Sequence, residues 1–129
     1  MSFTNKESGD KGEAFAAEYL VQQGYTVLEK NYRYKYGEID IIASKDKYIV
    51  FVEVKARRTN SLTQPAEAVT KQKQANIIRT AYYFLIERKI EAYARFDVIE
   101  VIFNPETLAL KNINHIENAF IQGGPYASF

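Results

Sequence analysis

Two stretches constrain the fold more than any other part of the chain. Residues Tyr36 to Ser44 and Tyr48 to Ala56 are separated only by Lys45-Asp46-Lys47. A short polar turn between two alternating runs predicts a β-hairpin. Side chains alternate along a strand, so Glu53 and Lys55 share a face with Ile49 and Phe51, while Val50, Val52 and Val54 point the other way. On the first strand Glu38, Asp40 and Ile42 share a face, opposed by Ile39 and Ile41. A two-residue turn at Asp46-Lys47 sets Asp40 opposite Glu53 and Glu38 opposite Lys55. The hairpin therefore gathers three carboxylates and one ammonium on one patch, beside Ile42, Phe51 and Ile49.

Such a patch is ordinarily a solvent face with cross-strand charge pairs, for example Glu38 with Lys55. Here the charged face runs on into large apolar residues. Two acids set directly opposite each other also repel unless a cation lies between them. Magnesium prefers a few carboxylate oxygens and keeps several waters, so Asp40 and Glu53 suit it, with a main-chain carbonyl near Val54 as a further donor. A bound metal acidifies its water and neutralises a phosphoryl oxygen. Lys55 is then placed to hold the attacking water or to stabilise the pentavalent phosphorus. Glu13 is a fourth candidate: on helical spacing it aligns with Gly9, Ala16, Ala17 and Leu20, a small and apolar face that packs inward. An inward acid needs a partner; its alternative role is that of a first-turn acid favoured by the helix dipole.

Around the hairpin the pattern predicts a helix from about Asp10 to Gln23, ended by Gly24, and a strand from Tyr25 to Glu29. Gly9 and Gly12 let this helix approach the sheet closely. Residues 57–64 read as an exposed loop. A second helix is expected from about Ala66 to Lys89, with Ile77, Ile78, Ala81, Phe84 and Leu85 as its apolar stripe. Residues Arg95 to Phe103 are apolar on both faces and predict an interior strand; Leu108 to Asn114 is a last strand. The expected fold class is α/β, a central sheet with helices packed against it. The expected organisation is a loose N-terminus over residues 1–8, one domain over 9–115 and a C-terminal tail over 116–129, frayed at Gly123-Gly124-Pro125.

Composition narrows the function classes. The chain has 129 residues, 47% of them hydrophobic, enough for a core without metal or disulfide. It has no cysteine, which excludes disulfides and thiolate zinc sites and fits a cytoplasmic setting. No apolar run follows Met1-Ser2-Phe3, so no signal peptide is expected, and no stretch has the length of a membrane span. The net charge of +1 does not by itself point to nucleic acid. Basic residues do cluster: Lys30, Arg33 and Lys35; Lys55, Arg57 and Arg58; Lys71, Lys73 and Arg79.

A helix glutamate, then Asp, then Glu-x-Lys on a following strand resembles the PD-(D/E)XK nuclease superfamily. More closely, the chain resembles the bacterial YraN family. The match runs through Gly9-x-x-Gly12-Glu13-x-x-Ala16, Asn31-Tyr32-Arg33, Gly37-Glu38-Ile39-Asp40, Phe51-Val52-Glu53-Val54-Lys55-x-Arg57, Ala68-Val69-Thr70-x-x-Lys73-Gln74 and Arg95-Phe96-Asp97-Val98. Ile39 stands where the superfamily motif has proline. The resemblance implies a restriction-endonuclease-like core with a mixed β-sheet, similar to that of archaeal Holliday-junction resolvases. It implies Mg2+ or Mn2+ on Asp40 and Glu53, assisted by Glu13, with Lys55 catalytic. The implied activity is hydrolysis of DNA, with branched or structured DNA among the substrates. Two other classes stay open: a nucleic-acid-binding module without turnover, and a protein-interaction domain whose acids and lysine form a structural ion-pair cluster. A homodimer is compatible with each, and no membrane is expected.

Further residues read as follows. Lys73 aligns with Ile77, Thr80 and Phe84 and leans toward the sheet, to reach the phosphate or cap the rim. Arg33, Arg57 and Arg58 are candidate phosphate contacts. Asp97 is expected in a structural ion pair with a nearby arginine. Tyr32, Tyr34 and Tyr36 alternate with Arg33 and Lys35, an interleaving that suits base stacking or edge-strand packing. Tyr82 and Tyr83 are read as core. His115 stands alone.

Overall fold

The computed structural model describes residues 5–35, 37–58, 69–104 and 106–120, without the side chains of Asn5, Ser8 and Arg58. Among them the order is helix α1 (Asn5–Gln22), strands β1 (Thr26–Tyr34), β2 (Gly37–Lys45) and β3 (Tyr48–Arg58), helix α2 (Lys71–Glu87), and strands β4 (Tyr93–Phe103) and β5 (Leu110–Ile116). The strands form one mixed sheet in the order β1-β2-β3-β4-β5. Only β3 and β4 are parallel. A parallel pair requires a crossover, and α2 lies on that crossover. The fold is α/β, a five-stranded mixed sheet with two helices packed against it.

The hairpin register is the one that the alternation and the two-residue turn require. Lys45 pairs with Tyr48 and Ile41 with Val52, and Asp46 takes the left-handed φ of 54° at the turn. On β3 the two faces separate cleanly. Ile49 and Phe51 join the core under α2 with Phe84, Phe96 and Val98. Val50 and Val52 join the core under α1 with Ala16, Leu20, Ile99 and Val101. A β-carbon built on Gly12 would lie 3.1 Å from the Ala56 Cβ, so this glycine permits the close approach of α1. Gly9 has no such neighbour.

Several boundaries differ from the sequence reading. Helix α1 begins at Asn5, so part of the expected loose terminus is helical; a Lys6–Asp10 pair at 2.9 Å, one turn apart, supports its start. Strand β1 runs on through the tyrosine-rich segment to Tyr34, aided by a register shift between Val27 and Glu29 and by a positive φ of 52° at Asn31. On β2, Ile39 packs with Ile42 in the α2-side core while Ile41 joins the α1 side, so strict alternation fails around Asp40. Arg57 and Arg58 belong to β3 and not to a loop; the rest of that expected loop lies outside the described residues. Helix α2 starts at Lys71, because the Thr70 hydroxyl caps it by accepting the Lys73 N–H at 3.1 Å. Tyr82 is exposed and Tyr83 only half-buried outside both core clusters, so neither is core. Residues 117–120, read as tail, form a turn that buries Ala119 and Phe120; Gly123-Gly124-Pro125 lies outside the described residues. No helix among the described residues is long and apolar enough to cross a membrane.

Asp97 is fully buried and forms the expected pair with Arg95, through Nη2 at 2.7 Å and Nε at 3.0 Å. His115, read as isolated, is its second partner: Nε2 lies 2.7 Å from Asp97, and Nδ1 is 3.0 Å from the Tyr19 hydroxyl. An ionised carboxylate only accepts, so His115 Nε2 carries a proton. The Asn118 N–H donates to Asp97 at 3.0 Å. Burial alone would raise the Asp97 carboxyl, but His115, Arg95 and the Asn118 N–H hold it below its ordinary value. This network ties α1, β4, β5 and the C-terminal turn together. Asp97→Ala leaves Arg95, His115 and the Asn118 N–H without their acceptor and is expected to cost about 3–5 kcal/mol at neutral pH, measured by chemical denaturation. Because the folded pKa is depressed, that stabilisation is present above the unfolded value of about 3.9 and is lost as pH falls through the folded pKa. The difference between the two proteins should shrink in acid.

Candidate active site

Beyond Ile41 and Val52 the backbone pairs of the hairpin end. There the Asp40 side chain takes over: its Oδ2 accepts the Val54 N–H at 2.8 Å. Glu53, next on the α2-side face after Phe51, is buried at 5% exposure. Its Oε1 meets Lys73 Nζ from α2 at 3.0 Å and Lys55 Nζ at 3.6 Å. Asp40, Glu53 and Lys73 thus line one recess, and Lys55 reaches it through its contact with Glu53. The recess holds about 170 Å³ and is lined by Gly37, Glu38, Asp40, Glu53, Lys73, Asn76 and Ile77. That space is enough for roughly five waters. Lys73 leans toward the sheet as its helical position requires.

The electrostatics follow from burial and proximity. The Asp40 carboxyl is pushed up to about 8, first by burial, then by the negative charge of Glu53, with Glu13 adding to it. The Val54 N–H works in the opposite direction. Burial lowers the Lys55 ammonium and Lys73 lowers it further, against the pull of Glu53. Burial would lower Lys73 too, but its closer contact with Glu53 prevails and raises it. The two lysines on one carboxylate oxygen therefore differ: Lys73 holds its proton tightly, and Lys55 holds it loosely.

The other expected residues are placed less centrally. Glu13 is half-buried on α1, bonded to Asn31, and its carboxyl is raised chiefly by burial. It comes close enough to act on Asp40, yet among the described residues no three carboxylates or histidines gather into a metal-ligand set. Glu38 pairs across β1 with Arg33 at 3.5 Å, so Arg33 stands at the rim with its side chain 75% exposed. The Arg57 side chain is only 13% exposed and lies 3.6 Å from Glu100, turned away from the solvent in which a phosphate would meet it. The Arg58 side chain lies outside the described residues.

Two participants escaped sequence reasoning. Glu100 is buried on β4 level with Lys55, where it accepts from Asn114 Nδ2 at 2.9 Å. Its signal is an acid on the same face of an interior strand as the core residues Phe96 and Val98, a place that demands a partner. Asn31 holds the Glu13 carboxylate from a left-handed backbone position, a conformation that asparagine tolerates.

The family described as "Uncharacterised protein family UPF0102" matches residues 12–101, a span that includes Glu13, Asp40, Glu53, Lys55 and Lys73. A UPF0102 protein of Caldanaerobacter subterraneus subsp. tengcongensis is 47% identical over 122 residues, 93% of this chain and 100% of its own length. One from Clostridioides difficile is 49% identical over 117 residues, 90% of this chain and 98% of its own. One from Clostridium perfringens is 46% identical over 121 residues, 93% and 98% of the two chains.

The raised Asp40 carboxyl has a consequence for stability. Its folded-state pKa of about 8 exceeds the unfolded value, so the folded protein binds this proton more tightly. Its contribution is fully present below about pH 4 and is lost as pH rises to 8. In the presence of a chelator, Asp40→Asn should raise the melting temperature at pH 8, with little gain at pH 4. Thermal unfolding at both pH values checks this; an equal gain at both would show that Asp40 is not held protonated.

Proposed function

The chain belongs to the UPF0102 family, and from the recess lined by Asp40, Glu53 and Lys73, with Lys55 held against Glu53, we propose that it hydrolyses DNA phosphodiesters with Mg2+ or Mn2+. The observation that carries this reading is the side-by-side placement of half-buried Asp40 and buried Glu53, with the Asp40 carboxyl raised to about 8. Two acids held together away from bulk water call for positive charge, and the two lysines meet that demand from Glu53 Oε1 alone. The donor set fits magnesium, which is bound by one or two carboxylates and keeps several of its waters. When bound, such an ion supplies an acidified water and neutralises charge on a phosphoryl oxygen. The order Asp40, Glu53, Lys55 is that of the PD-(D/E)XK nucleases and supports the same reading.

The chain's own residues have separable tasks. The Val54 N–H fixes one Asp40 oxygen, so that the carboxylate meets its ligand from one direction. Glu53 is oriented by Lys73 from α2. Lys73 keeps its proton and serves as a fixed positive charge at the wall of the recess. Lys55 gives up its proton more readily, which suits it to move a proton at the attacking water or the leaving oxygen. Arg33, exposed at the rim, is placed to meet the phosphate backbone.

One observation favours a rival. Lys73 and Glu53 already form a 3.0 Å pair, as a purely structural ion-pair cluster would. The two readings part on metal. Calorimetric titration with Mn2+ should show binding to the wild type, lost in Asp40→Ala and retained in Lys55→Ala. In a screen over linear, nicked, flapped and four-way DNA, Lys55→Ala should lower cleavage by about 100- to 1,000-fold or more. Cleavage unaffected by Lys55→Ala would exclude this mechanism, and failure of Mn2+ to bind would leave the structural cluster standing.

A further inference from the structure

Beside the recess lies a second cavity of about 320 Å³ that the hydrolytic chemistry does not use. It is lined by Tyr34, Lys35, Gly37, Asn76, Arg79 and Thr80, and it shares Gly37 and Asn76 with the recess. Its volume falls in the range of small-ligand sites. Gly37 forms a bare backbone wall. A β-carbon there would collide with the Thr80 hydroxyl and lie 2.7 Å from the Asn76 carbonyl, so no side chain separates the two spaces at that point.

The lining has two chemical halves. Tyr34 presents an aromatic ring, braced by stacking on Tyr83 with ring centres 3.5 Å apart and planes 12° from parallel. Bracing matters, because a ring already held in place loses little freedom when a ligand stacks on it. Lys35 and Arg79 supply the second half. Lys35 Nζ lies 5.4 Å from the centre of the Tyr34 ring, and Arg79 is exposed. Among the described residues neither cation forms an ion pair. An aromatic platform flanked by unpaired cations is the chemistry that takes a base face together with its phosphate.

We propose that the Tyr34–Arg79 cavity is a nucleotide subsite that seats an unpaired base of the DNA strand whose phosphodiester lies over Asp40 and Glu53. This rests on the hydrolytic reading and adds to it a preference for single-stranded or frayed DNA. The base must be unpaired because both faces of a base inside a duplex are covered by its neighbours, and a recess of this size takes one nucleotide, not a helix. Lys35 and Arg79 hold its phosphate, and the Asn76 amide stands at the base edge.

The test measures binding in a chelator, so it does not depend on cleavage. The probes are a short single-stranded DNA carrying 2-aminopurine and a blunt duplex of the same sequence. The single strand should bind more tightly, and its fluorescence should be quenched by stacking on Tyr34. Tyr34→Ala should weaken binding by about 5- to 150-fold and abolish the quenching, whereas Tyr34→Phe, which keeps the ring, should retain both. Arg79→Gln, a change at an exposed position, should reduce the slope of log affinity against log salt by about one. Equal affinity for the duplex, or quenching unchanged in Tyr34→Ala, would overturn the subsite. If binding and quenching behave as expected while no DNA is cut in Mg2+ or Mn2+, hydrolysis fails and the subsite stands. If DNA is cut and Tyr34→Ala binds like wild type, the subsite fails and hydrolysis stands.

Discussion

The hydrogen bond from the Val54 N–H to Asp40 sits where the backbone pairing of β2 and β3 gives out. A strand end without a ladder partner must satisfy its amides elsewhere or lose free energy comparable to a lost hydrogen bond. By using a carboxylate for this, the hairpin fixes the acid and keeps the strands from closing over it. The recess opens where the ladder stops, and Glu53 and Lys73 form part of its wall. The same bond explains the broken alternation around Asp40, since an acid that bonds to the neighbouring strand cannot also keep the regular pleat.

The two buried charge networks lie on opposite faces of the sheet. Asp97, Arg95, His115 and Tyr19 gather on the α1 side, and Glu53, Lys55, Lys73 and Glu100 on the α2 side. On β3 the apolar residues come first and the charged ones last, so the α2-side charges collect toward the carboxyl ends of the parallel pair β3 and β4. Open α/β sheets bind ligands outside those ends. The Asp97 network, by contrast, is saturated: its carboxylate accepts from three donors and has nothing left to offer a ligand.

What the sequence disclosed depended on the range of the interaction. The hairpin register was legible because it needs only alternation and turn length, both local. The closeness of Asp40 to Glu53 followed from it, although the ladder itself ends one residue short of them, and Lys73 followed from helical spacing. The tertiary partners were not legible. His115 is 18 residues from Asp97 and 96 from Tyr19, and nothing local marks it as their partner. Arg57 read as loop because basic and polar residues follow it, but the parallel pairing with β4 draws it into the sheet beside Glu100. The tyrosine segment read as ambiguous because an edge strand feels only one neighbour. Its extension came from the register shift at Leu28 and the left-handed Asn31, which local propensity does not announce.

The contact of Gly12 with Ala56 works as a ruler. With 3.1 Å between a hypothetical β-carbon and its neighbour, the helix rests on the strand with no slack. Glu13 is the very next residue, so its reach toward Asp40 is measured from that point of contact. A methyl group added at Gly12 would press on Ala56 and ask the two layers to give by a few tenths of an ångström, with Glu13 riding on the same turn. The spacing between layers, a property of two of the smallest side chains in the protein, thus tunes the charge felt at a carboxylate that neither of them touches.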